Sequence, residues 1–188
     1  MDLELDPATT ALVLIDLQKG MVARPLAPHA LADVVRRGAE LAAALRARGG
    51  LVAYVRVLGS EVPRLPADAP NPRPATPPPA EMWELLPEAG RQPADLLITK
   101  RQWGAFYGTD LDLHLRRRGV RTVIMAGIAT NFGVESTARA ALDRGYALVF
   151  AEDAMTSATA EMHGFCIGTL FPRMGRVRSS AQIGQALA

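Results

Sequence analysis

Short unbroken apolar runs alternate with helix-period segments along the chain, and that alternation narrows the fold more than any other feature. Thr10 to Ile15 is an apolar run that stops at Asp16. Pro28 to Arg48 then carries Leu31, Val34, Val35, Gly38, Leu41, Ala42 and Leu45 at helical spacing and stops at Gly49-Gly50. The pattern continues with strands over Leu51 to Val57 and Asp95 to Thr99, a helix over Asp110 to Arg118, and a strand over Arg121 to Ala126. A helix over Val134 to Arg144, a strand over Tyr146 to Phe150 and a helix over Thr159 to Phe171 follow. Gly175 to Arg178 reads as a short sixth strand, and Ser179 can cap a last helix through Leu187. Strands that are apolar on both faces belong in a parallel sheet covered on both sides by helices, so the expected class is α/β. Such sheets hold their ligand sites at the carboxyl ends of the strands. That rule singles out Asp16, Gln18, Arg56, Lys100 and the stretch from Gly127 to Gly133.

The chain has 188 residues, of which 49% are apolar and 21% charged, enough to build one core and too apolar for intrinsic disorder. A single domain over 1–188 is expected, interrupted by an irregular arm at about 60–80 that holds eight of the fourteen prolines. The longest uncharged stretch, Thr122 to Val134, is shorter than the roughly 18 residues that a membrane-spanning helix needs. A net charge of +2 gives no electrostatic case for nucleic acid, and Arg116-Arg117-Arg118 reads as cations closing a helix. The acidic opening, Met1 to Asp6, lacks the pattern of a secretory signal, and the single Cys166 suits a reducing compartment, so a cytoplasmic location is expected. Cys166 shares a helical face with Met162, Phe165, Thr169 and Leu170, which reads as core packing. His29, His114 and His163 are far apart in the chain and show no paired ligand spacing, so neither a metal nor another cofactor is expected. Nineteen of the basic residues are Arg, and only Lys19 and Lys100 are Lys. The two lysines are therefore candidates for positions where a compact ammonium is needed in place of a planar guanidinium.

Asp16 and Lys100 each stand at the carboxyl end of an apolar run and can meet in one pocket, either as a structural ion pair or as a proton-transferring group and its partner. Gly127 to Thr137 combines a strand end, a turn of small residues and a helix start, where free N–H groups suit an anion or a developing oxyanion. Trp103, Phe106 and Tyr107 could wall a pocket for a planar ligand or simply pack. Gln18 could orient Asp16 or a water, or fix a loop. Arg56, Arg64 and Arg101 could each grip a substrate carboxylate. Nucleotide-binding and serine-nucleophile motifs are absent from the sequence.

Three motifs lie in order at those strand ends: Leu14-Ile15-Asp16-Leu17-Gln18, Thr99-Lys100-Arg101-Gln102-Trp103-Gly104-Ala105-Phe106, and Gly127-Ile128-Ala129-Thr130-Asn131-Phe132-Gly133-Val134-Glu135. Together with Glu152-Asp153-Ala154-Met155 and Phe171-Pro172-Arg173, they make the chain resemble the isochorismatase-like, or cysteine hydrolase, superfamily over nearly its whole length. The resemblance implies a three-layer α/β/α domain with a six-stranded parallel sheet in the order 3-2-1-4-5-6. It also implies a catalytic Asp, Lys and Cys, of which Asp16 and Lys100 fill the first two places and Gly133 falls on the third. Without a side chain at Gly133 the covalent thiol route is closed. Members that cleave the vinyl ether of isochorismate carry Gly there and use the Asp as a general acid on the vinyl carbon.

The resemblance further implies a non-proline cis peptide at Ile128–Ala129 and a substrate-binding turn over Ala129, Thr130, Asn131 and Phe132. The metal-binding nicotinamidase-like branch is disfavoured, because Arg56 to Glu61 offers no His. The expected function is hydrolysis of a small molecule, such as an isochorismate-like vinyl ether, with Asp16 as general acid or base and no covalent intermediate. Amide or ester hydrolysis by an Asp16-activated water, and a catalytically silent small-molecule binder, are the open alternatives. Lys100 is expected to keep Asp16 ionised at rest. The expected partner is a small-molecule substrate, with no nucleic acid and no membrane. A homo-oligomer, dimer or tetramer, is expected, the Pro-rich arm crossing to a neighbour or walling the pocket.

Overall fold

A computed structural model describes residues 3–69 and 75–187, so part of the Pro-rich arm lies outside the described residues. Its strands are β1 (Thr10–Ile15), β2 (Leu51–Val57), β3 (Leu96–Lys100), β4 (Thr122–Ile128), β5 (Ala147–Thr156) and β6 (Arg176–Arg178). The α-helices are α1 (Leu31–Ala47), α2 (Leu111–Arg117), α3 (Glu135–Asp143), α4 (Ala160–Phe165) and α5 (Ser180–Ala186). The strands form one sheet in the order β3-β2-β1-β4-β5-β6, and every neighbouring pair is parallel. This is the α/β class read from the alternation of strands and helices, with the strand order that the resemblance implies.

β1 is buried along its full length, as an unbroken apolar run in the middle of a covered sheet requires. Its side chains alternate between two cores. Ala11, Val13 and Ile15 join the cluster that includes Ala138 and Ala141 of α3 and the stacked pair Phe150–Phe171, whose ring centroids are 4.0 Å apart. Leu12 and Leu14 join the opposite cluster, under α1 and α5. Most of the α1 stripe read from the sequence is buried against the sheet, namely Val34, Val35, Gly38, Leu41, Ala42 and Leu45, while Leu31, at the helix start, is only partly buried. Ser179 and Gln182 close α5 with a capping box.

Several boundaries differ from the sequence reading, and three of them have a local reason. β5 continues to Thr156, past the expected end at Phe150. Its polar pair Glu152-Asp153 hides that continuation. The pair lies opposite a register shift between Met125 and Gly127 that leaves both side chains partly exposed. The expected helix from Thr159 to Phe171 is α-helical only over Ala160–Phe165, then widens to a π-turn over Cys166–Leu170 and tightens to a 3₁₀ turn over Phe171–Arg173. Gly164 and Gly168 weaken α-helical preference there. A π-turn over Thr130–Val134 precedes α3, so the chain bends once more before the regular helix begins. Residues 61–69 and 75–79 of the arm form no helix or strand, in keeping with their prolines.

Candidate active site

β1 and β3 are separated by β2 in the sheet, so their ends lie about 10 Å apart at a strand spacing near 4.8 Å. A residue at the end of β3 can reach the end of β1 only through a long side chain. Lys100, the last residue of β3, does so. Its Nζ lies 2.9 Å from Asp16 Oδ2 and donates a second bond, of 2.7 Å, to Trp103 O. The Lys100 side chain is 1% exposed and that of Asp16 9%. Asp16 adopts φ 52°, in the left-handed region that Asp tolerates better than most residues. Its N–H still donates to Val55 O at 2.9 Å, so the chain leaves β1 at this residue while remaining fastened to β2.

Asp16 Oδ1 has no hydrogen-bond partner although it is buried. Burial pushes the Asp16 carboxyl up to about 6, against the opposing pull of the Lys100 ammonium and the smaller one of Arg24. Lys100 favours the ionised form, as expected, and at about 6 the carboxyl is still mostly ionised at pH 7 while keeping a minor acid form. Loss of hydration outweighs a single ammonium when the free oxygen has nothing to bond. Arg24 carries no signal in the sequence, because the loop that brings its charge near Asp16 has no motif.

Gly133 completes the cluster. A Cβ built there would lie 3.0 Å from Lys100 Nζ and 3.3 Å from Asp16 Oδ2. The position therefore stands directly over the ion pair, and as glycine it contributes no side chain. Gly127 is a glycine that the geometry requires: it has φ 111°, and a Cβ on it would meet Ile15 O at 2.1 Å. The turn between them begins with a cis peptide at Ile128–Ala129, as the resemblance implies. Phe132 N–H and Val134 N–H both donate to Ala129 O. Thr137 Oγ1 donates to Gly133 O at 2.6 Å and accepts Ala105 N–H at 3.1 Å. One buried hydroxyl thus joins the Gly133 turn to the segment after Lys100.

The remaining sequence candidates separate into two groups. Trp103 is 57% exposed and meets the 39% exposed Phe132 edge-on at 5.0 Å, so these two rings form an open aromatic edge beside the cluster. Ala129 and Asn131 are half-buried in the same turn, and Asn131 Oδ1 accepts from Ser157 Oγ. Gln18, Phe106 and Thr130 have other duties. Gln18 donates to Val57 O at 3.0 Å and Trp83 O at 2.9 Å and accepts Val57 N–H at 2.9 Å, which makes it the loop-fixing residue. Phe106 is 5% exposed and stacks in the core on Tyr146. Thr130 is fully buried, its hydroxyl 2.9 Å from His163 Nδ1. Sequence position gave no means of telling these inward side chains from their open neighbours.

Among the carboxylate-gripping candidates, Arg56 donates to Thr99 and Arg101 pairs with Glu61. Cys166 lies in the core, where burial pushes its thiol up to about 11. It supplies no thiolate to the Asp16 site.

Cavities of about 430 Å³ and 260 Å³ lie elsewhere, the larger at the amino ends of β2 and β3 beside Arg46, Asp95 and Arg118. In the larger one the buried acid, Asp95, has both oxygens bonded by Arg46, whereas Asp16 keeps a free oxygen, so the chemistry points to the carboxyl ends. No helix among the described residues is long and apolar enough to cross a membrane.

Comparison with known proteins gives a consistent result. Residues 10–182 match the isochorismatase domain. The chain is 50% identical to YecD, an uncharacterized isochorismatase family protein of Escherichia coli O157:H7, over 98% of this chain and 100% of that one. It is 32% identical to the ureidoacrylate amidohydrolase RutB of Methylobacterium radiotolerans, over 97% of this chain and 81% of the other. The structure of an isochorismatase family protein from Burkholderia thailandensis superposes with a TM-score of 0.91 at 41% identity, covering 100% of this chain and 99% of its own.

Proposed function

The chain belongs to the isochorismatase family of hydrolases, and from that premise we propose that it hydrolyses a small molecule by proton transfer at Asp16, without a covalent enzyme intermediate. The observation that carries this reading is Asp16 Oδ1, a buried carboxylate oxygen with no partner, on a carboxyl pushed up to about 6. A group with that value can give or take a proton near neutrality. Gly133 supports the same reading, since the atom placed to attack a carbonyl in a thiol mechanism is absent from the position over Lys100 and Asp16.

A vinyl ether of the isochorismate type suits this arrangement. Asp16 Oδ1–H gives its proton to the terminal vinyl carbon, and the ether oxygen shares the resulting positive charge. Water adds to the cation and returns a proton to the carboxylate. The hemiketal then collapses to pyruvate and the released alcohol. Lys100 would hold Oδ2 and so aim Oδ1. Trp103 and Phe132 would flank a planar substrate, and Arg24 would meet its carboxylate.

A second reading has a specific observation in its favour, the 32% identity to an amidohydrolase over nearly the whole chain. In that case Asp16 would act as a base on the water that attacks an amide carbonyl.

One experiment separates the readings. The purified protein is given isochorismate and pyruvate release is followed against pH, with Asp16→Asn as control. The acid reading predicts release that depends on Asp16 and falls about tenfold per pH unit above about 6. Hydrolysis of an amide that rises through the same midpoint establishes the base reading instead. Turnover retained in Asp16→Asn overturns both.

A further inference from the structure

Three groups that this reaction does not use converge beside the turn that carries Gly133. His29 comes from the loop between β1 and α1, Glu152 from β5 and His163 from α4. One ligand atom from each lies within 4.8 Å of the other two. His29 Nε2 and Glu152 Oε2 are 3.5 Å apart, and the rings of His29 and His163 meet edge-on at 5.5 Å between centroids. His163 is 4% exposed, whereas the side chains of His29 and Glu152 are 26% and 34% exposed, so the cluster opens to solvent on one side. Among the described residues, the hydrogen-bond partner of the His163 ring is Thr130 Oγ1, which engages Nδ1 and leaves Nε2 as the free nitrogen.

We propose that His29, Glu152 and His163 bind one divalent ion of the zinc class, with Thr130 holding the His163 ring in its ligating orientation. The donor set is the first reason. Two imidazoles and one carboxylate suit a borderline ion such as Zn²⁺ and leave its fourth position to water, while Mg²⁺ and Ca²⁺ want oxygen-rich shells.

Spacing is the second reason. Bonds near 2.0–2.1 Å in a tetrahedral centre place donor atoms about 3.4 Å apart. The His29–Glu152 pair is already at that separation, 3.5 Å. The widest gap must close by about 1.4 Å, which rotation of the two partly exposed side chains supplies. Third, the cluster does not satisfy itself. The His29–Glu152 contact, at 3.5 Å, is longer than a well-formed hydrogen bond.

The Thr130 bond to Nδ1 is the outer-shell contact that fixes a ligating imidazole. It also links the cluster to the Gly133 turn, since Thr130 opens that turn. Sequence spacing predicts no metal because His29 and His163 lie in different halves of the chain and meet only through the fold.

The test is equilibrium dialysis of the tag-free protein against buffered Zn²⁺, with metal counted by elemental mass spectrometry and Mg²⁺ as control. One Zn²⁺ per chain is expected at micromolar free metal, with none for Mg²⁺. His29→Ala and Glu152→Gln, at partly exposed positions that tolerate change, should each weaken binding at least tenfold. Thr130→Val, which keeps all three ligands, should weaken it about 10- to 100-fold. Absence of stoichiometric Zn²⁺ in the wild type overturns the proposal. So does unchanged binding in the His29→Ala/Glu152→Gln double variant, which would place the ion elsewhere, for example at His114 and Asp110, whose side chains are 3.1 Å apart.

Discussion

At the scale of single residues, the balance at Asp16 decides the chemistry. An exposed carboxylate 2.9 Å from an ammonium would sit below its ordinary value, yet burial carries Asp16 up to about 6. Lys100 pulls against that rise, so removing it has a defined sign. In Lys100→Met the carboxyl loses its opposing charge and the midpoint of the kcat/KM–pH profile moves above 6. Under the acid reading activity then extends to higher pH, and under the base reading activity at pH 7 falls. An unmoved midpoint would mean that another group titrates.

Sequence placed both residues correctly because each ends an apolar run. How far burial raises the Asp16 carboxyl is not legible there, because the number of waters lost around an oxygen is a property of the packed molecule. The meeting of His29, Glu152 and His163 is illegible for a related reason, since their proximity arises from three separate segments of the chain.

At the scale of elements, the site is a meeting of segments held by a few buried polar atoms. Thr137 on α3 is fully buried, and its hydroxyl bonds both Gly133 O and Ala105 N–H. Thr137→Val keeps the shape and removes both bonds, taking from the buried Ala105 N–H its hydroxyl acceptor. The cost is expected to be roughly 1–3 kcal/mol, read as a lower urea midpoint with an unchanged slope. Because the variant also loosens the turn over Lys100, kcat should fall with it. Helix and strand existence is readable from apolar spacing, and six of the seven α1 stripe positions are buried, Leu31 being partly so. Element ends were less legible. The π-turn at Thr130–Val134 and the continuation of β5 through Glu152-Asp153 follow from tertiary hydrogen bonding and a register shift, neither of which has a periodic signature.

At the scale of the molecule, the two ends of the sheet have different tasks. The carboxyl ends hold Asp16, Lys100 and the Gly133 turn. The amino ends hold a brace in which Arg46 grips Asp95 through Nε–Oδ1 at 3.0 Å and Nη2–Oδ2 at 2.7 Å, while Gln92 N–H adds a bond of 2.7 Å to Oδ2. This brace ties the end of α1 to the entry of β3. Asp95→Ala should cost roughly 1–3 kcal/mol of folding stability, visible as a lower Tm, and leave kcat/KM unchanged at temperatures well below it. A fall in kcat/KM there would show that the two ends are coupled.

Gly133 is held by bonds that its backbone and neighbours make, and none of them requires a particular side chain at that position. Glycine and cysteine codons can differ by one base. A cysteine there would need Ile15, whose Cγ2 would lie 2.9 Å from the new Cβ, to give way slightly. The acid and the ammonium are already in place, so a lineage built on this scaffold stands a single mutational step from a nucleophile.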